Sequence, residues 1–261
     1  MSTFASSRRA TAAVLAVATK LGLAGGARAA DPPARIYAVI SLVGDQFSVI
    51  KRRPQIGAHR DTNERLEFPV ADAHFDRMAM TAAEAAIRRA RPGVDVLQAS
   101  IRDPRLFAAQ DKLLTETPES HDLRVALQGL LAKYGATHLV LVTKRRNEAS
   151  FKIVNSTIGS GTISGIGFYL DSVTTMVREG SKEASPGFLS TYAYVTVSLL
   201  DAASLRLVRS EYALESSMAL AVDSTEAVRA WDALTPEGKV ASLERVLRNG
   251  VDRATTAVLA E

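Results

Sequence analysis

The stretch from residue 137 to residue 171 constrains the fold more than any other part of this sequence. It opens with a continuous apolar run, residues 139–142, which is typical of a strand covered on both faces. Further on, four glycines share one parity: Gly159, Gly161, Gly165 and Gly167. If the segment is extended, one of its faces is nearly bare backbone, so another surface can lie very close to it.

Several interpretations of the glycines follow from their spacing. A phosphate-binding loop needs a helix directly after the last glycine, but residues 168–175 have the composition of a strand. This leaves a flexible Gly/Ser/Thr loop, an extended hairpin arm packed against another surface, or an arm that inserts into a membrane. As a strand, residues 159–167 would span about 26 Å.

The aromatic residues at the far end of this stretch suit contact with a peptide, a glycan or a partner strand. Ordinary packing within a sheet is the alternative role for these rings. The candidate binding residues are therefore Gly159, Gly161, Gly165, Gly167, Phe168, Tyr169 and Asp171.

The first thirty residues have the pattern of a secretory signal peptide. Arg8 and Arg9 precede an apolar run at residues 10–23, and small residues typical of a cleavage site follow at 27–30. The apolar run is too short and too weakly apolar for a lasting membrane span. We therefore expect residues 1–30 to be a signal peptide, residues 31–261 to form one domain, and the location to be periplasmic or secreted in a bacterium.

Charge and cysteine content limit which molecules the protein is expected to bind and how it could be anchored. The chain has 32 basic and 28 acidic residues, and four of the basic ones lie in the leader, so the remainder is formally neutral and gives no support to nucleic-acid binding. The chain has no cysteine, so we expect neither a disulfide framework nor a lipid anchor through cysteine. Other association with a membrane is not excluded.

The order of secondary-structure signals predicts an α+β fold with a mostly antiparallel sheet and helices packed on one side. Apolar runs on either side of Gly44 and Asp45 predict a hairpin, and residues 192–200 and 205–214 predict a second one. Caps and apolar periodicity predict helices that begin near Asp72, Asp103, Thr117 and Thr235. Residues 172–178 predict a further strand, followed by a surface loop at 179–187.

Candidate catalytic groups are few. His59 and Asp61, His74 and Asp76, and His121 and Asp122 are neighbours of the kind that metals bind, but none has a diagnostic spacing. The chain contains neither a G-x-S-x-G elbow nor a cysteine nucleophile. A metal-dependent hydrolase using residues 45–122 is therefore the alternative function, and we expect no cofactor.

Two basic clusters, residues 51–53 and 144–146, each follow a strand signal. The simplest interpretation is that these basic side chains lie in solvent at the ends of the strands. If the two strands are neighbours, the clusters form a face that binds anions.

The step Tyr134-Gly-Ala-Thr-His-Leu-Val-Leu-Val142 leads from a helix through a short turn into a strand. It resembles the fold group of the curli-transport lipoprotein, the activator lipoproteins of penicillin-binding proteins and the amino-terminal domain of TolB. The resemblance covers roughly residues 72–214, and no binding residues of that group carry over. It implies a periplasmic, non-enzymatic binding or assembly module. Separately, we expect the partner to be an envelope protein or a glycan. This chain lacks the anchoring cysteine that those lipoproteins carry.

Overall fold

The computed structural model describes residues 35–54, 61–153, 155–177, 184–220 and 230–260. The predicted signal peptide lies outside the described residues. The strands are β1 (Ile36–Ser41), β2 (Gln46–Lys51), β3 (Glu64–Pro69), β4 (Asp95–Gln98), β5 (His138–Lys144), β6 (Arg146–Glu148), β7 (Phe151–Ile153), β8 (Ser156–Ile158), β9 (Thr162–Val177), β10 (Ala184–Asp201) and β11 (Leu207–Ala219). The helices are α1 (His74–Ala90), α2 (Pro104–Ala108), α3 (Pro118–Lys133) and α4 (Pro236–Leu259).

The long strand β10 is the centre of a nine-stranded mixed sheet. Along one side β10 pairs antiparallel with β11. Along its other side it pairs with β9 and then with β5, so β5 and β9 lie end to end. On the far side of β5 and β9 from β10, β1 pairs with β5 and β2 pairs with β9, and both pairs are parallel. Strands β4 and β3 lie at the far edge, beside β1 and β2.

The hairpin predicted around Gly44 and Asp45 is wrong. Strands β1 and β2 do not pair with each other, because both sides of each strand are taken by other strands. They follow one another along the same position of the sheet, with a bend at residues 42–45. A Gly-Asp pair between two apolar runs marks an interruption of a strand, and it does not by itself decide whether the chain reverses.

The second predicted hairpin is confirmed by the antiparallel pairing of β10 with β11. Its turn is held by Asp201, whose Oδ1 accepts hydrogen bonds from the backbone N–H (2.8 Å) and the hydroxyl (2.6 Å) of Ser204. Strand β10 begins at Ala184, earlier than the sequence predicts, so residues 184–187 belong to a strand rather than to a surface loop.

The predicted helices are confirmed, and the caps explain where two of them begin. Thr117 and Ser120 form a reciprocal capping box at the start of α3, and the Thr235 hydroxyl accepts from the backbone N–H of Gly238 at the start of α4. Each of these helices has proline in its first turn, where the missing N–H costs nothing.

The α+β class is confirmed, but the helices cover both faces of the sheet. Helices α1 and α4 pack on the face that carries Val39, Val142 and Val195. Helices α2 and α3 pack on the opposite face, against Ile40 and Leu141. The physical reason is that β1 and β5 are apolar at both parities, so each of their faces needs a cover.

Candidate functional site

The glycine-rich stretch belongs to a hairpin arm, residues 146–164, which leaves the sheet and returns to it at one residue of β10. The backbone N–H of Arg145 donates to the carbonyl oxygen of Tyr194 (2.9 Å), and Gly165 is paired in register with the same Tyr194. Within the arm, β6 pairs with the first residues of β9, and β7 pairs with β8. The structure agrees with the hairpin-arm interpretation of this stretch.

The surface under the arm is the chain's own sheet. The arm covers an apolar cluster on the face that α2 and α3 leave open. The buried members of this cluster are Ile50, Ala149, Phe151, Ile163, Tyr169, Phe188, Tyr192 and Tyr194. The arm therefore covers part of this face of the sheet, next to the part that α2 and α3 cover.

Two tyrosine hydroxyls hold the arm in place. The Tyr194 hydroxyl accepts from the N–H of Ser150 and donates to its carbonyl oxygen, both at 3.1 Å. The Tyr169 hydroxyl makes the same pair of bonds with Ser160, at 3.0 and 3.1 Å. Burial raises the pKa of both phenols above the ordinary value, so they remain neutral donors at physiological pH. Each hydroxyl thus satisfies the backbone N–H and C=O of one residue of the arm.

Other parts of the chain occupy the bare faces of all four glycines. A Cβ on Gly159 would overlap the carbonyl oxygen of Ala149, and one on Gly161 would overlap the side chain of Asn63. A Cβ on Gly165 would lie 3.0 Å from Cγ of Lys144.

Gly167 is the most crowded of the four glycines. A Cβ there would overlap the carbonyl oxygen of Ser48 and lie 2.8 Å from the Tyr192 hydroxyl. Backbone atoms thus crowd Gly159 and Gly167 directly. The positive φ angles of Gly159, Gly161 and Gly165 also favour glycine at those three positions.

The residues just after the glycines are also internal. Phe168 points to the face covered by α1 and α4, where its ring lies edge-on to Trp231 (5.5 Å between centroids) and to Phe47 (5.9 Å). Tyr169 points to the opposite face and packs against Phe151 (4.8 Å). Binding of an external ligand by the predicted residues stays a prediction, and the contacts described here are within the chain.

Asp171 is a fully buried carboxylate with a complete set of partners. Oδ1 accepts from the backbone N–H groups of Val173 (2.8 Å) and Thr174 (2.9 Å), and Oδ2 lies 2.6 Å from Nη1 of Arg52. Burial works against the charged form, but the bonds from Thr174, Arg52 and Val173 outweigh it and lower the pKa of Asp171. The carboxylate is thus charged and fixed.

Asp171 marks the base of a two-stranded ribbon, which we define as residues 172–177 of β9 and 184–187 of β10. Pairing of β2 with β9 ends at Leu170, and pairing of β11 with β10 begins at Leu189, so among the described residues the two strands of the ribbon pair only with each other. Val173 and Val177 on the ribbon are 45% and 61% exposed.

A bulge in β10 opposite Asp171 shapes the base of the ribbon. Gly187 has φ +112°, and a Cβ there would overlap the carbonyl oxygen of Asp171 and approach Cα of Ser172 at 3.0 Å. Only glycine fits this backbone conformation and this contact.

The structure separates the His/Asp pairs that suggested a metal site. Nε2 of His74 lies 2.8 Å from the Glu244 carboxylate on α4, whereas Asp76 points into the bend between β1 and β2. Asp61 accepts from the backbone N–H of Thr162 (2.8 Å) and so ties the loop before β3 to the arm. His59 lies outside the described residues. His121 and Asp122 are exposed on α3.

Asp76 is the most unusual of these carboxylates. It is 3% exposed, and its Oδ1 accepts from the Ser41 hydroxyl (2.7 Å) and from the N–H groups of Val43 and Gly44 (3.0 Å each). Its Oδ2 is buried without a hydrogen-bond partner among the described residues. Burial raises the pKa of Asp76, although the bonds from Ser41, Gly44 and Val43 oppose the shift.

A cavity of about 360 Å³ lies beside this carboxylate, near the carboxyl ends of β1 and β4. Asp45, Asp72, Asp76, Ser100 and Arg102 contribute to its walls. Asp45 is paired with Lys144, with Nζ 2.5 Å from Oδ1. Across the parts of the chain that the structure describes, no group of three or more His, Cys, Asp or Glu side chains is arranged to hold a metal ion.

The two basic clusters do not meet. Lys144 at the end of β5 lies beside Gly165, whereas Lys51 at the end of β2 is paired in register with Leu170, further along β9. Three of the six basic residues also have acidic partners within the chain: Lys144 pairs with Asp45, Arg52 with Asp171, and Arg53 with Glu64. The structure therefore provides no joint face for anions from these clusters.

Sequence reasoning singled out Asp171 and the glycines as binding residues, which stays a prediction, and it did not anticipate the contacts of Arg52 with Asp171 and of Gly44 with Asp76. Both contacts join residues that are far apart in the sequence.

None of the described helices combines the length and the apolar character that crossing a membrane requires.

Comparison with known proteins identifies no family. No protein-family model matches the chain, and no curated protein matches it significantly. Among solved structures, a Xanthomonas campestris protein of the DUF330 family is 10% identical, with 86% of this chain and 81% of that chain covered and a TM-score of 0.33. PelC from Paraburkholderia phytofirmans, a dodecamer, is 9% identical (87% and 90% covered, TM-score 0.30). Lipoprotein GNA1162 from Neisseria meningitidis is 13% identical (75% and 90% covered, TM-score 0.30).

These structural similarities are weak, and TM-scores of this size carry no argument about function. The three proteins differ from the groups that the helix–turn–strand step resembles, so that resemblance stays a prediction.

Proposed function

We propose that this chain is an exported, non-enzymatic binding or envelope-assembly protein that engages a partner protein with the ribbon. Export is proposed from the leader at residues 1–30. The observation that carries the binding proposal is the ribbon itself, which continues beyond the strands that flank β9 and β10 and exposes Val173 and Val177.

The ribbon is open on one face only. Met176 on its other face packs against the cluster under the arm, and Ser185 is buried. The buried bonds of Asp171 and the hydrogen bond from the Ser185 hydroxyl to the carbonyl oxygen of Gly187 (2.9 Å) fix its base. A strand pair that is fixed at its base and open on one face can take part in recognition by strand contact.

The chemistry of the ribbon indicates the kind of partner. Val173, Thr175 and Val177 alternate along β9 and therefore face the same side. This side carries two valines, one threonine and no charge, so it fits a shallow apolar groove or an open strand edge on an envelope protein. A strongly charged partner surface would find no complement there.

The test is to place charges on this side of the ribbon and compare capture from envelope extract. We expect the double variant Val173→Lys with Val177→Lys to lose at least about tenfold in recovery of the partner that the unaltered protein captures. The matched control is Val125→Lys with Val240→Lys, on helix positions of similar exposure (52% and 47%), which we expect to capture normally.

Equal recovery by both double variants, at unchanged melting temperatures, would remove the ribbon as the binding element. Turnover of a substrate by the purified protein in a hydrolase screen would contradict the non-enzymatic part of the proposal.

A further inference from the structure

Strand β11 is an edge of the sheet. Among the described residues it pairs only with β10, so one row of its backbone N–H and C=O groups has no strand opposite it. The strand is 13 residues long and contains neither proline nor lysine, two of the residues that commonly protect such an edge.

The first half of β11 is also the most exposed apolar part of this edge. Leu207, Val208 and Tyr212 are 41%, 52% and 56% exposed. The guanidinium of Arg145 lies 5.0 Å from the centre of the Tyr212 ring, and the other exposed apolar atoms of this segment face solvent. An edge strand with unpaired backbone groups and exposed apolar side chains is a template for another strand, and the charges of Arg209 and Glu211 limit the registers in which it can pair.

The sequence of this half is complementary to itself when it runs antiparallel. We propose that two copies of the chain pair through β11 around a twofold axis at Ser210, which joins their sheets into one. In this register Arg209 lies opposite Glu211 of the partner subunit, and Val208 lies opposite Tyr212 of the partner subunit. Within each chain Arg209 already lies 3.7 Å from Glu211 (Nε to Oε1) and donates to the carbonyl oxygen of Ala260, so the twofold axis brings two such pairs together with opposite charges facing each other. The axis repeats each contact, so two charge pairs and two apolar pairs form.

The neighbouring registers are less favourable. Outward backbone groups alternate along the strand, so identical edges pair only residues of the same parity. An axis at Arg209 or at Glu211 places like charges directly opposite each other. An axis at Tyr212 places Arg209 opposite the partner's Glu215, but Arg253 of the same chain holds that Glu215 at 2.6 Å, a closer contact than the 3.7 Å between Arg209 and Glu211.

Charge reversal tests this register with the whole purified protein. Sedimentation velocity should show a dimer, and Arg209→Glu or Glu211→Arg alone should raise its dissociation constant at least about tenfold, because like charges then face each other. The double variant, with both reversals, should restore the dimer, since the pairs are simply exchanged. Arg248→Glu on α4 is the matched control and should dimerise normally.

A second measurement tests the position of the axis. The chain has no cysteine, so Ser210→Cys introduces a single thiol that meets its own copy at the axis. Oxidation should cross-link this variant into a covalent dimer, and Ser216→Cys should not cross-link. A monomer at all concentrations, a dimer that the single reversals leave unchanged, a double variant that fails to recover, or no cross-link at Ser210→Cys would each overturn the proposal.

Discussion

The guanidinium of Arg52 holds the buried carboxylate of Asp171 at 2.6 Å (Nη1 to Oδ2), across 119 residues of sequence. Arg52 follows β2, and Asp171 marks the last point at which β9 belongs to the full sheet. The pair therefore connects the end of one strand to the base of the ribbon.

We expect Asp171→Asn to lower the free energy of unfolding by about 1–3 kcal/mol, because the amide keeps the shape but loses the charge-assisted bonds. Denaturant unfolding measures the change. Glu119→Gln removes the exposed Lys112–Glu119 pair and serves as the control, for which we expect no measurable change. Equal losses in the two variants would contradict the role of Asp171.

Tyr194→Phe tests how the arm is attached. Loss of the hydroxyl leaves the N–H and the carbonyl of Ser150 without their partner, so we expect a loss of about 1–2 kcal/mol in unfolding free energy. Amide exchange at Ser150 should accelerate more than the average of the sheet. Tyr212→Phe, at a ring that is 56% exposed, should change neither quantity. Unchanged exchange at Ser150 would show that this hydroxyl does not hold the arm.

Gly167→Ala tests whether the bare face of the glycine stretch is filled by the chain itself. The new Cβ overlaps the carbonyl oxygen of Ser48, so we expect a loss of about 1–3 kcal/mol. Gly129 lies on the exposed side of α3 with no heavy atom within 4 Å of an added Cβ. Gly129→Ala should therefore stabilise the protein by about 0.5–1 kcal/mol. If Gly167→Ala is at least as stable as the unaltered protein, the contact at Gly167 is not restrictive.

Asp76→Asn tests the buried carboxylate in the bend between β1 and β2. Because the folded-state pKa of Asp76 is raised, its contribution to stability is fully present below the unfolded-state value of about 3.9 and declines as pH rises through the folded-state pKa. The asparagine variant does not titrate, so the unfolding free energy of the unaltered protein, relative to the variant, should fall with rising pH above about pH 4. Parallel profiles from pH 4 to pH 8 would contradict this prediction.

Patterns within short windows of sequence predicted the elements well. The capping residues Thr117 and Thr235 set the starts of α3 and α4 through bonds to residues three positions ahead. The apolar run in β5 predicted burial on both faces, and the structure places a helical layer on each. Because these signals depend only on neighbouring residues, they can be interpreted without knowing the rest of the fold.

Contacts between residues that are far apart in the sequence could not be predicted in the same way. Gly44 and Asp45 have the composition of a hairpin turn, yet Asp76 binds the backbone there and the chain continues in the same direction. Whether the chain reverses or continues after β1 depends on which strands flank β1 and β2, and those strands come later in the sequence.

The sequence by itself determined the class of the fold, the caps of its helices and the second hairpin, because each depends on neighbouring residues. It also indicated that some surface lies against Gly159, Gly161, Gly165 and Gly167. Only the tertiary structure decided that this surface is the chain itself, that Arg52 neutralises Asp171, and that no other described strand pairs with the ribbon or with the outer edge of β11. Those outcomes depend on which strands meet across the sheet, and that is settled by the packing of the whole chain.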